Sequence, residues 1–253
     1  MGKILAVLYG VAAYVVFLAS FLYAVGFVGN FLVPKAIDSG PTGSTVEALL
    51  VNALLLGLFA VQHSVMARPG FKALWTKVVS RSIERSTFVL ISSLLLFLLF
   101  WQWRPMPAII WDASEGAAQI ALMGLFWLGW LIVLLSTFMI SHFDLFGLRQ
   151  VLLNLQGKAY EHPEFTTRGF YAIVRHPIML GFIIAFWASP TMTLGHIVFA
   201  VATTSYILIA LQLEERDLVA AIGDAYKRYR EDVPMLMPWP KASQKRNSRI
   251  SET

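Results

Sequence analysis

The chain has 253 residues, 57% hydrophobic and 14% charged, with a formal net charge of +5 and no cysteine. Soluble domains average about a quarter charged residues, so this chain lacks the polar residues for an aqueous surface, and lipid is the expected solvent of most of it. A disordered, collagen-like or disulfide-rich secreted protein is excluded, and so are thiolate nucleophiles, Cys-ligated zinc and iron–sulfur clusters.

A bilayer core of ~30 Å takes ~20 apolar residues of helix. The first run, Ile4 to Val33, has no charge and is too long for a signal peptide. Ala48 to Ala67 is the second, broken by Gln62-His63-Ser64; Thr87 to Trp103 is the third, ending in interface-loving tryptophans. Ala117 to Ile140 is the fourth. Ile178 to Leu213 is apolar throughout but contains Ser189-Pro190-Thr191, and proline breaks helices. It reads as a hairpin of a short helix, about 178–189, and a longer one, about 194–220. The expected fold is an all-α integral membrane protein with about five to six transmembrane helices. Four of these occupy 1–140, a polar region with the hairpin and an amphipathic C-terminal segment occupies 141–240, and 241–253 is a basic tail expected to be disordered near anionic headgroups.

Charge gives orientation. The segments before 5, 67–86, 141–176 and 214–253 hold 1, 5, 4 and 8 basic residues, 18 of the 20. That positive-inside pattern predicts a multi-pass membrane protein with both termini cytoplasmic.

Ionisable groups at membrane depth are costly, so each is a functional candidate. His63 reads either as an interfacial histidine bonded to a carbonyl or as a site residue; His196, far from the basic loops, reads as structural. In Ser141-His142-Phe143-Asp144-Leu145-Phe146-Gly147-Leu148-Arg149-Gln150, His142 and Asp144 share no helical face but can meet in an irregular segment. A histidine beside a carboxylate can serve as general base; the alternative is a helix-end network neutralising Arg149. The five histidines lack metal-binding spacing, so no metal site is expected. Next, Arg175-His176-Pro177 places proline at a helix start, where free backbone donors and the helix dipole can receive an anion. It can equally be a plain cap. Glu214-Glu215 follows the last apolar run, and adjacent carboxylates project about 100° apart, so one should face inward. An inward carboxylate can bind a ribose, an ammonium group or an arginine; a surface-lying amphipathic helix is the alternative. No Rossmann, P-loop or nucleophile-elbow motif occurs.

Gly169-Phe170-Tyr171, Arg175-His176-Pro177, Gly181, Glu214-Glu215, Leu218, Gly223, Tyr226, Tyr229 and Val233-Pro234 together resemble the isoprenylcysteine carboxyl methyltransferase family over 156–238. Phospholipid N-methyltransferases and sterol reductases share parts of this pattern. Gln62 to Arg68, Glu84 to Thr87, Phe100 to Pro105 and His142 to Gln150 resemble its NnrU-like branch of bacterial methanethiol S-methyltransferases, over nearly the whole chain. The resemblance implies S-adenosylmethionine (SAM) in a cytoplasmic-facing pocket contacted by Gln156, Pro163, Glu164, Phe165, Thr166, Tyr171, His176, Pro177, Gly181, Glu214 and Glu215. Met179 departs from the tyrosine usual in the carboxyl methyltransferases. Ala210 replaces a substrate-binding arginine, which suits a small neutral thiol, methanethiol or hydrogen sulfide, over a carboxylate. The implied reaction is in-line methyl transfer to a thiolate, with no nucleic acid involved. His142 is the expected base, assisted by Asp144; Arg149 or Arg175 would stabilise the anion, and His63 is the reserve base. The alternatives are a SAM methyltransferase for a lipid amine or isoprenoid-linked group, a non-enzymatic NnrU-like membrane protein, and an NADPH-dependent sterol reductase.

Overall fold

A computed structural model describes residues 2–161, 163 and 165–238, so the expected tail 241–253 lies outside the described residues. In chain order the helices are α1 (Lys3–Gly29), α2 (Thr45–Ala67), α3 (Pro69–Trp75), α4 (Arg81–Gln102), α5 (Gly116–Ile140), α6 (His142–Leu145), α7 (Leu148–Gln156), α8 (Pro177–Trp187), α9 (Leu194–Ile222) and α10 (Asp224–Asp232). A one-turn 3₁₀ helix, Gly169–Ala172, precedes α8, and two short strands, β1 (Ile109–Asp112) and β2 (Thr191–Thr193), pair antiparallel. Helices α1, α2, α4, α5 and α9 are long and apolar enough to cross a bilayer, which makes this a multi-pass membrane protein.

The helices are inverted relative to those of a soluble bundle. Leucines and valines of α1 and α2, such as Leu8, Leu22, Leu50 and Leu54, face outward. Serines and threonines lie inside: Ser20, Ser93, Ser136 and Thr137 are buried, and each returns its hydroxyl proton to a carbonyl of its own helix at 2.6–2.9 Å. With lipid outside there is no water to reward burying leucine, so close packing of small residues and satisfied polar groups governs the interior. The tightest crossing joins α5 to α8. A Cβ on Gly181 would stand 2.6 Å from the Gly129 carbonyl, and one on Gly129 would stand 2.7 Å from the Gly181 carbonyl.

The basic segments converge on one end of the bundle. Arg68 pairs with Asp217 at 2.8 Å, joining α2 to α9. Arg85 Nε donates to the Leu145 carbonyl at 2.7 Å, joining α4 to α6. Gly147, between α6 and α7, has φ +86° and lies so close to Ser86 that a Cβ would meet its backbone nitrogen at 2.7 Å. Helix α4 begins at Arg81, six residues before the apolar run.

The far end is closed without buried charge pairs among the described residues. Asn52, fully buried, gives and receives 2.8 Å hydrogen bonds with the Arg104 backbone. Trp103 Nε1 donates to the Ile37 carbonyl at 3.1 Å. Helix α8 has 11 residues, about 16 Å of rise, roughly half a bilayer core. The extended chain after it therefore runs at membrane depth, where unpaired backbone is prohibitively costly. Its groups are met by β1, by Leu194 N–H to the Ala108 carbonyl at 2.7 Å, and by Trp111 Nε1 to the Ser189 carbonyl at 3.1 Å. His196 fits the structural reading: it is buried, and its Nε2 lies 2.9 Å from the Phe186 carbonyl.

Candidate active site at the basic end

Glu215 organises the centre of this end. One turn of α9 places it inward, 4% exposed, while Glu214 stays half-exposed. Glu215 Oε1 accepts from Arg175 Nε at 2.6 Å and lies 3.2 Å from His176 Nε2; its Oε2 lies 3.2 Å from Arg230 Nε. Arg175 also donates to the carbonyls of Val233 and Arg230 at 2.6 and 3.1 Å. The backbone N–H groups of Arg175 and His176 donate to Pro234 and Met235 carbonyls at 2.9 and 3.2 Å. Two cations and a histidine thus share one buried carboxylate. Removing one partner from such a group leaves an uncompensated buried charge, at a cost of about 3–5 kcal/mol. The sequence places one carboxylate inward; the inward one is Glu215, and Glu214, 4.0 Å from His176 Nδ1, remains turned to open space.

Around this centre lie phenols. Tyr229 donates to the Tyr171 carbonyl at 2.6 Å and Tyr171 to the Ser136 carbonyl at 3.4 Å. Phe165 packs edge-on against Tyr226 and Tyr229. Burial first, then the Glu214 carboxylate, raises the Tyr171 phenol. Burial likewise pushes Tyr229 up to about 12, against the opposing pull of Arg175. These hydroxyls stay protonated near neutrality and serve as donors, not bases. A cleft of about 530 Å³ beside them is lined by Arg175, Lys227, Arg230 and Glu231.

The expected residues fall into three groups. Tyr171, Arg175, His176, Pro177, Glu214 and Glu215 come together, and Phe165 joins through its ring contacts. Gln156 is exposed at the end of α7, Pro163 is half-buried, and Thr166 accepts from Arg168 N–H at 3.4 Å; no described contact ties these three to Glu215. Glu164 lies outside the described residues. Gly181 belongs to the α5–α8 crossing, where Gly129 takes the space beside it.

His142 and Asp144 do not meet in the structure. His142 begins α6, buried, and stacks on Phe138 with ring centroids 4.2 Å apart. Its Nδ1 is 2.8 Å from Thr137 Oγ1 and its Nε2 2.8 Å from the Tyr14 hydroxyl. Thr137 spends its only proton on the Leu134 carbonyl, so it must accept from Nδ1–H. Nε2 then carries the lone pair and receives the Tyr14 proton. Asp144 is turned elsewhere, to Arg149 at 3.2 Å and Tyr160 at 3.1 Å. Even a short helix keeps residues two apart on different faces, and each side chain found a nearer partner. Burial holds His142 below its ordinary value. Burial first, then Asp144, pushes Tyr160 up to about 12.

His63 Nδ1 lies 3.3 Å from Ser92 Oγ, and its ring packs between Phe59 and Phe88. Sequence reasoning missed Arg230, Tyr14 and Thr137. Arg230 follows a glycine break after the glutamates, which signals a chain that can fold back. For Tyr14, one polar residue in an apolar helix, no local signal names its partner.

Two comparisons bear on this geometry. The NnrU protein family profile matches residues 50–221. The chain is similar to the Methanethiol S-methyltransferase of Mycobacterium tuberculosis, 58% identical over 95% of this chain and 98% of the relative. It is also similar to Methanethiol S-methyltransferase 2 of Bradyrhizobium diazoefficiens, 56% identical over 94% and 91%. Nurim of Mus musculus is 28% identical over 69% of this chain and 70% of its own. No solved structure matches. With two relatives aligned almost end to end and the profile covering most of the membrane region, the chain belongs to the NnrU protein family, and within it to the membrane methyltransferases.

Proposed function

We propose that this protein is a SAM-dependent thiol S-methyltransferase of the bacterial inner membrane, with both termini cytoplasmic, that converts methanethiol to dimethyl sulfide. The observation that carries this reading is the near full-length identity with relatives named for methanethiol. The gathering of 18 of 20 basic residues in alternate segments supports the orientation.

The residues at the basic end fit SAM in kind. Its amino-acid portion carries an ammonium and a carboxylate. Glu214 is a half-exposed carboxylate ready for a cation or a ribose. Arg175, Lys227 and Arg230 line the adjoining cleft and suit a carboxylate. Phe165 and Tyr171 supply aromatic and donor surface, His176-Pro177 a helix start, and Pro163, Glu164, Thr166 and Gln156 the remaining expected contacts. When bound, SAM supplies an activated methyl on sulfonium. Glu215 holds Arg175 and His176 in place and buried, so they need not reorganise during reaction. Positioning and exclusion of water then carry the rate. An apolar interior also suits a volatile, uncharged product.

Purified protein in detergent with SAM and methanethiol is expected to release dimethyl sulfide, measured in the headspace. Glu214→Ala and His176→Ala should each cut that rate by at least tenfold. A wild type that consumes no SAM with methanethiol, but methylates a lipid amine or an isoprenoid-linked acceptor in the same assay, sinks the substrate assignment. Failure to bind SAM by calorimetry sinks the cofactor.

A further inference from the structure

We propose that the acceptor thiol binds between α2 and α4 against Phe59 and Phe88, that His63 takes its proton, and that Arg85 stabilises the thiolate. This rests on the reading above and gives it an acceptor site.

A general base needs an available lone pair, and the two basic-end histidines on the α1–α5 side of the bundle differ in this respect. His142 has both ring nitrogens occupied, by Thr137 and Tyr14. His63 has one. Ser92 donates its hydroxyl proton to Gln62 Oε1 at 3.2 Å, so its oxygen accepts from His63 Nδ1–H. That fixes the tautomer and leaves the lone pair on Nε2, for which no hydrogen bond is described. The ring stacks on Phe59, centroids 5.2 Å apart, and meets Phe88 at a 46° tilt, centroids 4.9 Å apart. A histidine oriented by one neighbour, its other nitrogen without a described hydrogen bond and its ring against two phenylalanines, has the arrangement a base requires.

The charge of Arg85 completes the site. Its guanidinium carbon stands 5.0 Å over the Phe88 ring, and Nε donates to the Leu145 carbonyl. Among the described residues it has no ion pair within 4.0 Å; Glu84, Asp144 and Glu214 act on it only through longer-range electrostatics. A guanidinium on an aromatic wall with no carboxylate partner is short of one negative charge, and a thiolate beside His63 supplies it. The cofactor region is adjacent. Tyr206 and Asp217 of α9 reach Ser64 and Arg68 of α2 at 3.1 and 2.8 Å. Glu214 lies between them in sequence, within 100° of each around α9. Thus Ser64 faces the glutamate-bearing helix, and His63, its chain neighbour, faces α4.

The chemistry balances without a further reagent. The S–H bond breaks, and its proton passes to His63 Nε2 to give imidazolium. A thiolate lone pair forms the new S–C bond, while the bond from that methyl to the donor sulfur breaks and leaves its pair on the donor. The imidazolium proton then returns to water.

The test uses the full-length enzyme in lipid nanodiscs, with calorimetric SAM affinity and saturation-transfer NMR of methanethiol as readouts beside turnover. Hydrogen sulfide is the control acceptor, because it is the far stronger acid and a substantial fraction of it is already ionised near neutrality. In His63→Ala and His63→Gln, methylation of methanethiol should fall at least 100-fold, and that of hydrosulfide at least tenfold less than that. SAM affinity should stay within threefold. Phe88→Ala should abolish the methanethiol saturation-transfer signal, and Arg85→Lys should retain more turnover than Arg85→Gln. Equal losses for both thiols, full activity in His63→Gln, or lost SAM binding in both His63 variants would each overturn the proposal, the last by making His63 part of the scaffold. Absence of methyl transfer by the wild type overturns the parent reading instead.

Discussion

The two ends of the bundle close themselves by different means. At the far end, Asn52 hydrogen-bonds the Arg104 backbone, Trp103 and Trp111 donate to carbonyls, and β1 pairs with β2. Those donors find neutral partners, and Lys35, the one far-end lysine, reaches the Trp101 carbonyl; the carboxylates of Asp38 and Asp112 accept from the hydroxyls of Thr193 and Thr191 rather than from a cation. At the basic end, closure runs through charge: two arginines and a histidine converge on Glu215, while Glu214 is left over. Neutral pairing stabilises without offering anything to a ligand. Charge clustering also stabilises, and it leaves unfilled valences where chemistry can happen.

Three experiments put that contrast at risk. The largest effect belongs to Glu215→Ala, which strands Arg175 and His176 in a buried site. A loss of about 3–5 kcal/mol is expected, seen as a large fall in melting temperature together with lost SAM binding. If this variant melts like the wild type, Glu215 is not the centre of that end. Next comes Asn52→Ala, which leaves the buried Arg104 backbone groups without partners at about 1–3 kcal/mol. The melting temperature should drop while turnover per folded molecule is unchanged. A comparable fall in turnover would show that the ends are not separable. The smallest effect concerns pH. Burial depresses His142 below its ordinary 6.5, so the unfolded chain binds a proton more readily than the folded one. The stability this contributes is intact above about pH 6.5 and is lost as pH falls toward the depressed value. Melting temperature should therefore decline on acidification from pH 7, and His142→Gln should flatten that slope. An unchanged slope would mean that another group dominates.

Much of the fold could be read in advance because hydropathy is local. The runs at 117–140 and 178–213 lie close to the helices found there, Gly116–Ile140 and the pair Pro177–Trp187 and Leu194–Ile222. The start of α4 was not legible in that way. A hydropathy window stops at Arg85 and Glu84, yet the helix continues to Arg81, because the α6 backbone accepts from Arg85 as water would. The inward glutamate was half legible. Helical geometry demands one inward residue and cannot name it, since Arg230 and Arg175 decide the matter from other elements. The histidine at 142 shows the limit most clearly. Asp144 is its neighbour in sequence, but its actual partner, Tyr14, is 128 positions away. Separation of that order is set by how α1 lies against the α5–α7 segment, and no local pattern encodes it.

Helix α9 runs unbroken for 29 residues and carries Tyr206, Glu214, Glu215 and Asp217 on one rigid rod. Adding or deleting a single residue between 206 and 215 would shift everything beyond it by 1.5 Å, forward or back, and turn it by 100°. A deletion would swing away the glutamate that now anchors Arg175 and bring Arg216 against the same guanidinium; an insertion would keep a glutamate inward, Glu214, but bring Arg216 to the place where Asp217 now meets Arg68. Side chains along this stretch can drift over generations wherever they face lipid. Its length cannot, so insertions and deletions should be purged here even where substitutions are harmless.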